Sequence, residues 1–102
     1  MENIILIGYM GSGKTTIGKN LAKQKKYKFV DTDEMIVEQQ RRSINEIFAT
    51  DGEQAFRDME TAFLRQLIAE KKEHMVISTG GGMPLRAENR QLLLHLGKVI
   101  YL

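Results

Sequence analysis

The chain has 102 residues, of which 42% are hydrophobic and 27% charged, proportions that suit one folded core and exclude a disordered or fibrous chain. Fifteen Lys and Arg against thirteen Asp and Glu give a net charge of +2, which is no nucleic-acid footprint. Zero cysteines exclude disulfide scaffolds, thiolate zinc sites and cysteine nucleophiles.

No apolar run approaches the length of a membrane span, and Met1-Glu2-Asn3 lacks the basic region of a secretory signal. The expectation is a cytoplasmic protein of a single domain, with neither nucleic acid nor membrane as a partner.

In chain order, Ile4-Ile5-Leu6-Ile7 is a β-branched apolar run ending at Gly8, the pattern of a strand buried on both faces. Ile17, Leu21 and Ala22 keep helical spacing between Lys14 and about Lys26. Lys19, Lys23, Lys25, Lys26 and Lys28 crowd the end of that helix, either as a solvated face offsetting the helix dipole or as an anion-attracting surface. Lys28-Phe29-Val30-Asp31 reads as a second strand, and Met35, Ile36 and Val37 place a helix over about 34–41. Ser43 with Glu46 three residues on is a capping box opening a short helix through Ile47 and Phe48. Asp51-Gly52 turns the chain, and a long helix runs over about 53–70. Its stripe of Phe56, Met59, Phe63 and Leu67 is a core-facing pattern. Met75-Val76-Ile77-Ser78 is a third strand, stopped by Gly80-Gly81-Gly82. A final helix centres on 92–94, and Val99-Ile100-Tyr101-Leu102 reads as a fourth strand. Strands alternating with helices imply an α/β fold, a parallel sheet with right-handed crossovers. His74 and His95 have no ligand spacing.

Gly8-Tyr9-Met10-Gly11-Ser12-Gly13-Lys14-Thr15 matches G-x-x-x-x-G-K-[ST], between a strand and a helix. Glycines let the backbone wrap a phosphate with its N–H groups inward, and the helix N-terminus adds partial positive charge. Lys14 would reach the β- and γ-phosphates, and the Thr15 hydroxyl would ligate Mg²⁺. The third strand ends in Ser78-Thr79 rather than a carboxylate, leaving Asp31 and Asp33 as candidates for the metal's acidic partner. Taken as an extended segment, residues two apart point the same way; one carboxylate would serve hydrated Mg²⁺ and the other accept a hydroxyl proton. The alternative is that both cap the following helix. Three successive glycines offer either a backbone ligand site or a tight turn before Pro84. Arg57 and Glu60, one turn apart, are either a surface ion pair or a carboxylate clamp with its orienting partner.

Together the phosphate loop, D-T-D at 31–33, G-E-Q-A-F-R at 52–57 and the triple glycine resemble shikimate kinase, over essentially the whole chain. The resemblance implies a three-layer P-loop fold of nucleoside-monophosphate-kinase type, with strand order 2-3-1-4 here and a fifth strand missing. It implies ATP-dependent phosphorylation of the shikimate 3-hydroxyl, giving shikimate 3-phosphate and ADP, in aromatic amino-acid biosynthesis. Partners are then ATP/ADP and shikimate, with Mg²⁺ as cofactor. By the same resemblance Gly11, Ser12, Gly13, Lys14, Thr15 and Thr16 bind nucleotide, and Thr15 and Asp31 hold the metal. Asp33 binds substrate hydroxyls and acts as base, Lys14 stabilises the transferring phosphoryl group, and Arg57 with Gly80, Gly81 and Gly82 binds shikimate. Phe48 and Phe56 are similar to aromatics that wall the substrate pocket, or are core. The shikimate-binding subregion would span about 33–60.

The lid, its arginines and the adenine-binding loop have no counterpart here. The chain stops in a buried-type strand, so the expectation is a truncated chain that turns over little, monomeric at full length but with a sheet edge open to association. A gluconate or nucleotide kinase of the same fold and a non-catalytic binding module remain alternatives. A GTPase switch lacks an Asn-Lys-x-Asp segment.

Overall fold

A computed structural model describes residues 2–8 and 13–102. Four strands, β1 (Ile4–Ile7), β2 (Lys28–Asp31), β3 (Met75–Ser78) and β4 (Lys98–Tyr101), form one sheet. All pairings are parallel, in the order β2-β3-β1-β4. The helices are α1 (Lys14–Lys25), α2 (Thr32–Gln40), α3 (Ile44–Thr50), α4 (Glu53–Ala69) and α5 (Ala87–Leu96), with a 3-10 turn over Met83–Leu85. The expected α/β class and the strand order 2-3-1-4 are both present.

Alternation along each strand divides the interior in two. Ile5, Val30 and Ile77 face a core completed by Ile36, Ile47, Phe56, Phe63, Leu64, Leu93 and Leu96 from α2 to α5. Their neighbours Leu6 and Val76 face the other side, against Ala22 of α1, with Phe29 and Tyr27 packed on them. Two buried faces explain the continuous apolar runs of the strands, and burial of each such side chain stabilises by about 1.5–3 kcal/mol. The stripe on α4 packs as its spacing predicts: Phe56, Phe63 and Leu67 are buried, and Met59 is packed against the core.

Local signals set most element ends. The Ser43 capping box forms, with the hydroxyl accepting from the Glu46 amide and the Glu46 carboxylate accepting from the Ser43 amide. Lys23 and Lys25 occupy the last turn of α1, where positive charge offsets the dipole. Lys25 lies over the Tyr27 ring and Lys19 over that of Phe29. Buried Asn3 donates to the Leu96 and Lys72 carbonyls and accepts from the Met75 amide, fastening the sheet to the ends of α4 and α5.

Two boundaries depart from expectation, the smaller being β4, which runs one residue earlier than the Val99–Leu102 reading. α2 begins at Thr32, directly after β2, because the Asp31 carboxylate caps it by accepting from the Glu34 amide at 3.2 Å. Asp31 therefore ends a strand, whereas Asp33 sits in the first turn of a helix, so the two do not share an extended segment. Among the described residues no helix is long and apolar enough to cross a membrane.

Candidate functional site

The C-terminal ends of β2 and β3 and the N-terminus of α1 meet around a cleft of about 370 Å³. That edge is where an open parallel sheet places its ligands. Gly13, Lys14, Thr15 and Thr16 line one wall, and Asp31, Asp33, Ser78, Thr79, Gly80 and Gly81 line the other. Gly13 has φ +83°, a left-handed conformation in which a side chain is strained. Gly11 and Ser12, the other two nucleotide-loop residues read from the sequence, lie outside the described residues.

Lys14 extends from the first turn of α1 and donates from Nζ to the Thr79 carbonyl at 2.6 Å. Thr79 is fixed in turn to β1, its hydroxyl and its amide both donating to the Leu6 carbonyl. The lysine is thus held at the mouth of β3, one residue before the glycines.

Asp31 and Asp33 converge on this cleft although one ends a strand and the other opens a helix. Burial raises the Asp33 carboxyl above the ordinary 3.8, and the Asp31 charge adds to the rise; Lys14 and Arg57 oppose it. A carboxyl with a raised pKa is a better proton acceptor.

Two glycines of the triple-glycine loop yield space to the Asp33 and Arg57 side chains. A methyl group on Gly80 would come within 2.9 Å of the Asp33 carboxyl carbon, and one on Gly82 within 2.5 Å of the Arg57 Cζ. Gly82 has φ −93° and ψ −11°, which any residue adopts, so close approach and not dihedral freedom requires glycine there. A methyl on Gly81 would meet nothing within 4 Å. The loop therefore holds Asp33 near one end and Arg57 near the other.

Arg57 is not on an open surface. Its side chain is 18% exposed, and Glu60, which accepts from Nη1 at 2.7 Å, is 1% exposed. Glu53 accepts from Nη2 at 3.4 Å, and the guanidinium lies 5.5 Å from the Phe56 ring centroid. This burial overturns the surface-pair alternative, and the Phe56 ring and Gly82 both pack against Arg57. Burial raises the Glu60 carboxyl, with the Arg57 hydrogen bond and charge opposing. Glu60 Oε2 has no hydrogen-bond partner among the described residues. Phe56 is buried, and Phe48 packs edge-on against it at 5.3 Å with 39% of its surface exposed.

Sequence reasoning missed Thr32, between the two aspartates. It is fully buried, and its hydroxyl accepts from the Gly80 amide at 3.0 Å. That bond spends the Gly80 amide within the protein. Among the described residues, no protein acceptor takes the Gly81 or Gly82 amide. A buried hydroxyl residue at a strand-to-helix junction is the only trace the sequence carries of this bond.

A family model for shikimate kinase matches residues 10–102. The chain belongs to the shikimate kinase family. The shikimate kinase of Bacillus mycoides (strain KBAB4) is 47% identical over 102 residues, which cover all of this chain and 60% of that protein. That of Francisella tularensis subsp. novicida (strain U112) is 48% identical over 101 residues, 99% of this chain and 57% of that protein. The chain thus spans about 60% of the length of the curated shikimate kinases it matches.

Solved shikimate kinases share the fold. One from Acinetobacter baumannii in complex with shikimate superposes with a TM-score of 0.92 at 40% identity, over all of this chain and 56% of that one. One from Aquifex aeolicus gives 0.90 at 37% identity, over 98% and 58%.

Proposed function

We propose that this chain carries the phosphate loop and the shikimate pocket of a kinase that transfers the γ-phosphoryl group of ATP to the shikimate 3-hydroxyl. The observation that carries this reading is that Asp33 and Arg57 lie against one glycine loop, with Asp33 in the cleft that Lys14 lines. A hydroxylated carboxylic acid needs both groups at once: a cation for its carboxylate and a base beside the hydroxyl that reacts.

In this reading the shikimate carboxylate pairs with the Arg57 guanidinium, which Glu60 orients from behind; bidentate pairing fixes the ring as well as binding it. The amides of Gly81 and Gly82 offer the remaining donors. Asp33 accepts the 3-hydroxyl proton as that oxygen attacks the γ-phosphorus, and the bond from phosphorus to the ADP oxygen breaks in line. Shikimate 3-phosphate and ADP leave. Lys14 moves from the Thr79 carbonyl to the phosphates and stabilises the charge developing on the transferred group. Positioning and electrostatics supply most of the acceleration in such transfers.

The cleft fits Mg²⁺ by its donor chemistry. The Thr15 hydroxyl and the Asp31 carboxylate are hard oxygen ligands on facing walls of the same cleft, and Asp31 commits only Oδ1 to the α2 cap. Two protein oxygens suit an ion that keeps most of its waters and takes the rest of its shell from phosphates. Bound there, it neutralises polyphosphate charge. The reading needs a single copy of the chain at the site and places it in the cytoplasm.

Calorimetric titration of the chain with shikimate, gluconate and nucleoside monophosphates tests the assignment. Saturable binding of shikimate alone supports it. Binding of gluconate or a monophosphate in its place assigns the pocket to another kinase of this fold. In the protein carrying this chain, shikimate bound without turnover marks a binding module.

A further inference from the structure

Two helices bear on the glycine loop from opposite directions, and one buried pair joins them. Asn89 of α5 is wholly buried. Its Nδ2 donates to the carbonyl of Met83 at 3.0 Å, one residue past Gly82, which sets the orientation of the amide. Oδ1 then faces Thr61 of α4, whose hydroxyl lies 2.6 Å away. The Thr61 hydroxyl also lies 3.1 Å from the Arg57 carbonyl, and it accepts from Arg86 Nη1 at 3.1 Å. A hydroxyl has one proton. Because Asn89 Oδ1 is a buried acceptor, that proton belongs to it, and the Arg57 carbonyl is the secondary contact.

The bridge thus runs from one turn beyond Arg57 to one residue beyond Gly82. Those two ends are the elements whose separation leaves no room for a methyl group on Gly82. At the other end of the loop Thr32 holds the Gly80 amide, so only Gly81 and Gly82 are left between fixed points. Arg86 reinforces the junction, donating to Asp58 at 2.9 Å and Gln54 at 3.1 Å on the exposed side of α4.

We propose that the Thr61–Asn89 hydrogen bond is the positioning device of the shikimate pocket: it sets the distance between the Arg57 guanidinium and the donor amides of Gly81 and Gly82. Neither residue reaches the cleft, so both act through the groups they hold. This deepens the substrate assignment above and rests on it for the identity of the ligand, though not for the geometry of the loop.

The test compares Thr61→Val, an isostere without the hydroxyl, with Thr61→Ser, which keeps it. Amide hydrogen exchange of Gly80 and Met83, the loop amides bonded to the Thr32 hydroxyl and the Gly80 carbonyl, is measured without ligand, then calorimetric affinities for shikimate and for MgADP, with Tm recorded throughout. Loss of one buried hydrogen bond predicts exchange about tenfold faster and shikimate Kd about tenfold higher in Thr61→Val. MgADP affinity should stay within about twofold, and Thr61→Ser should recover both wild-type values. Asn89→Asp, which loses the donor to Met83, should repeat the Thr61→Val pattern. A Thr61→Val protein with lower Tm but wild-type exchange and shikimate affinity would reduce the bridge to a structural bond and overturn the proposal. So would a failure of Thr61→Ser to restore the loop. A wild-type chain that binds no shikimate overturns the substrate assignment instead, and the exchange comparison still decides the bridge.

Discussion

The Arg57 guanidinium occupies the space that a Cβ on Gly82 would fill, with its Cζ 2.5 Å from that position. Overpacking of this kind costs about 1–3 kcal/mol, and relief comes only if the arginine or the loop moves. Gly82→Ala should therefore raise shikimate Kd by roughly 10- to 100-fold and leave MgADP affinity unchanged. Gly81→Ala is the internal control: space is open there, and affinity should stay near wild type. Equal losses at both positions would mean that glycine serves the loop by flexibility and not by clearance.

Asp33→Asn removes the proposed base while nearly preserving shape. In the protein that carries this chain, turnover should drop about 10²- to 10⁴-fold with nucleotide affinity close to wild type. A matching loss of MgADP affinity would place Asp33 in the metal shell with Asp31.

The same substitution tests the electrostatics of the cleft. Burial holds the Asp33 pKa above its ordinary 3.8, so the folded protein binds this proton more tightly than the unfolded chain. The contribution to stability is full below the unfolded value and is lost as pH rises through the folded one. Asp33→Asn should accordingly raise Tm at pH 7, and the gain should vanish below about pH 3.8. The acid limb of turnover should lie above the range of a free aspartate. Thermal melts and pH–rate profiles measure both, and an Asn variant less stable at neutral pH contradicts the assignment.

Arg57→Ala should raise shikimate Kd by about 10²-fold, the loss expected for a bidentate charged contact. It also strands the Glu60 carboxylate, which is 1% exposed, and breaking such a pair costs about 3 kcal/mol. Adding Glu60→Gln should recover most of the stability and none of the affinity. Chemical denaturation with parallel calorimetry separates the two effects; recovery of affinity in the double variant would show that Arg57 does not touch the ligand.

Much of this architecture is legible in the sequence because it depends on local pattern. The strands at 4–7, 28–31 and 75–78 coincide with apolar runs bounded by turn signals, and the Ser43 capping box is written in two residues. Asp31 shows the limit of period-based reading. Met35, Ile36 and Val37 suggest a helix from about residue 34, but the acid at 31 with Glu34 three residues on is itself a cap signature, and the helix starts at Thr32. The site is legible where chemistry demands unusual residues, as in the phosphate loop, the paired aspartates and the glycines. Its supports are not: Thr32 reaches Gly80 across 48 residues and Thr61 reaches Asn89 across 28. Common polar side chains at such separations leave no periodic trace.

In the proposed pocket one loop presents shikimate to Asp33 at one end and to Arg57 at the other. An amide NMR titration of the chain with shikimate, observing the glycine amides and the Arg57 Nε, tests it most directly. Saturable shifts of Gly81, Gly82 and Arg57 at a common midpoint are expected, with the Lys19–Lys26 face of α1 unmoved. Signals that ignore shikimate, or that move on α1 and not on the glycine loop, would contradict it.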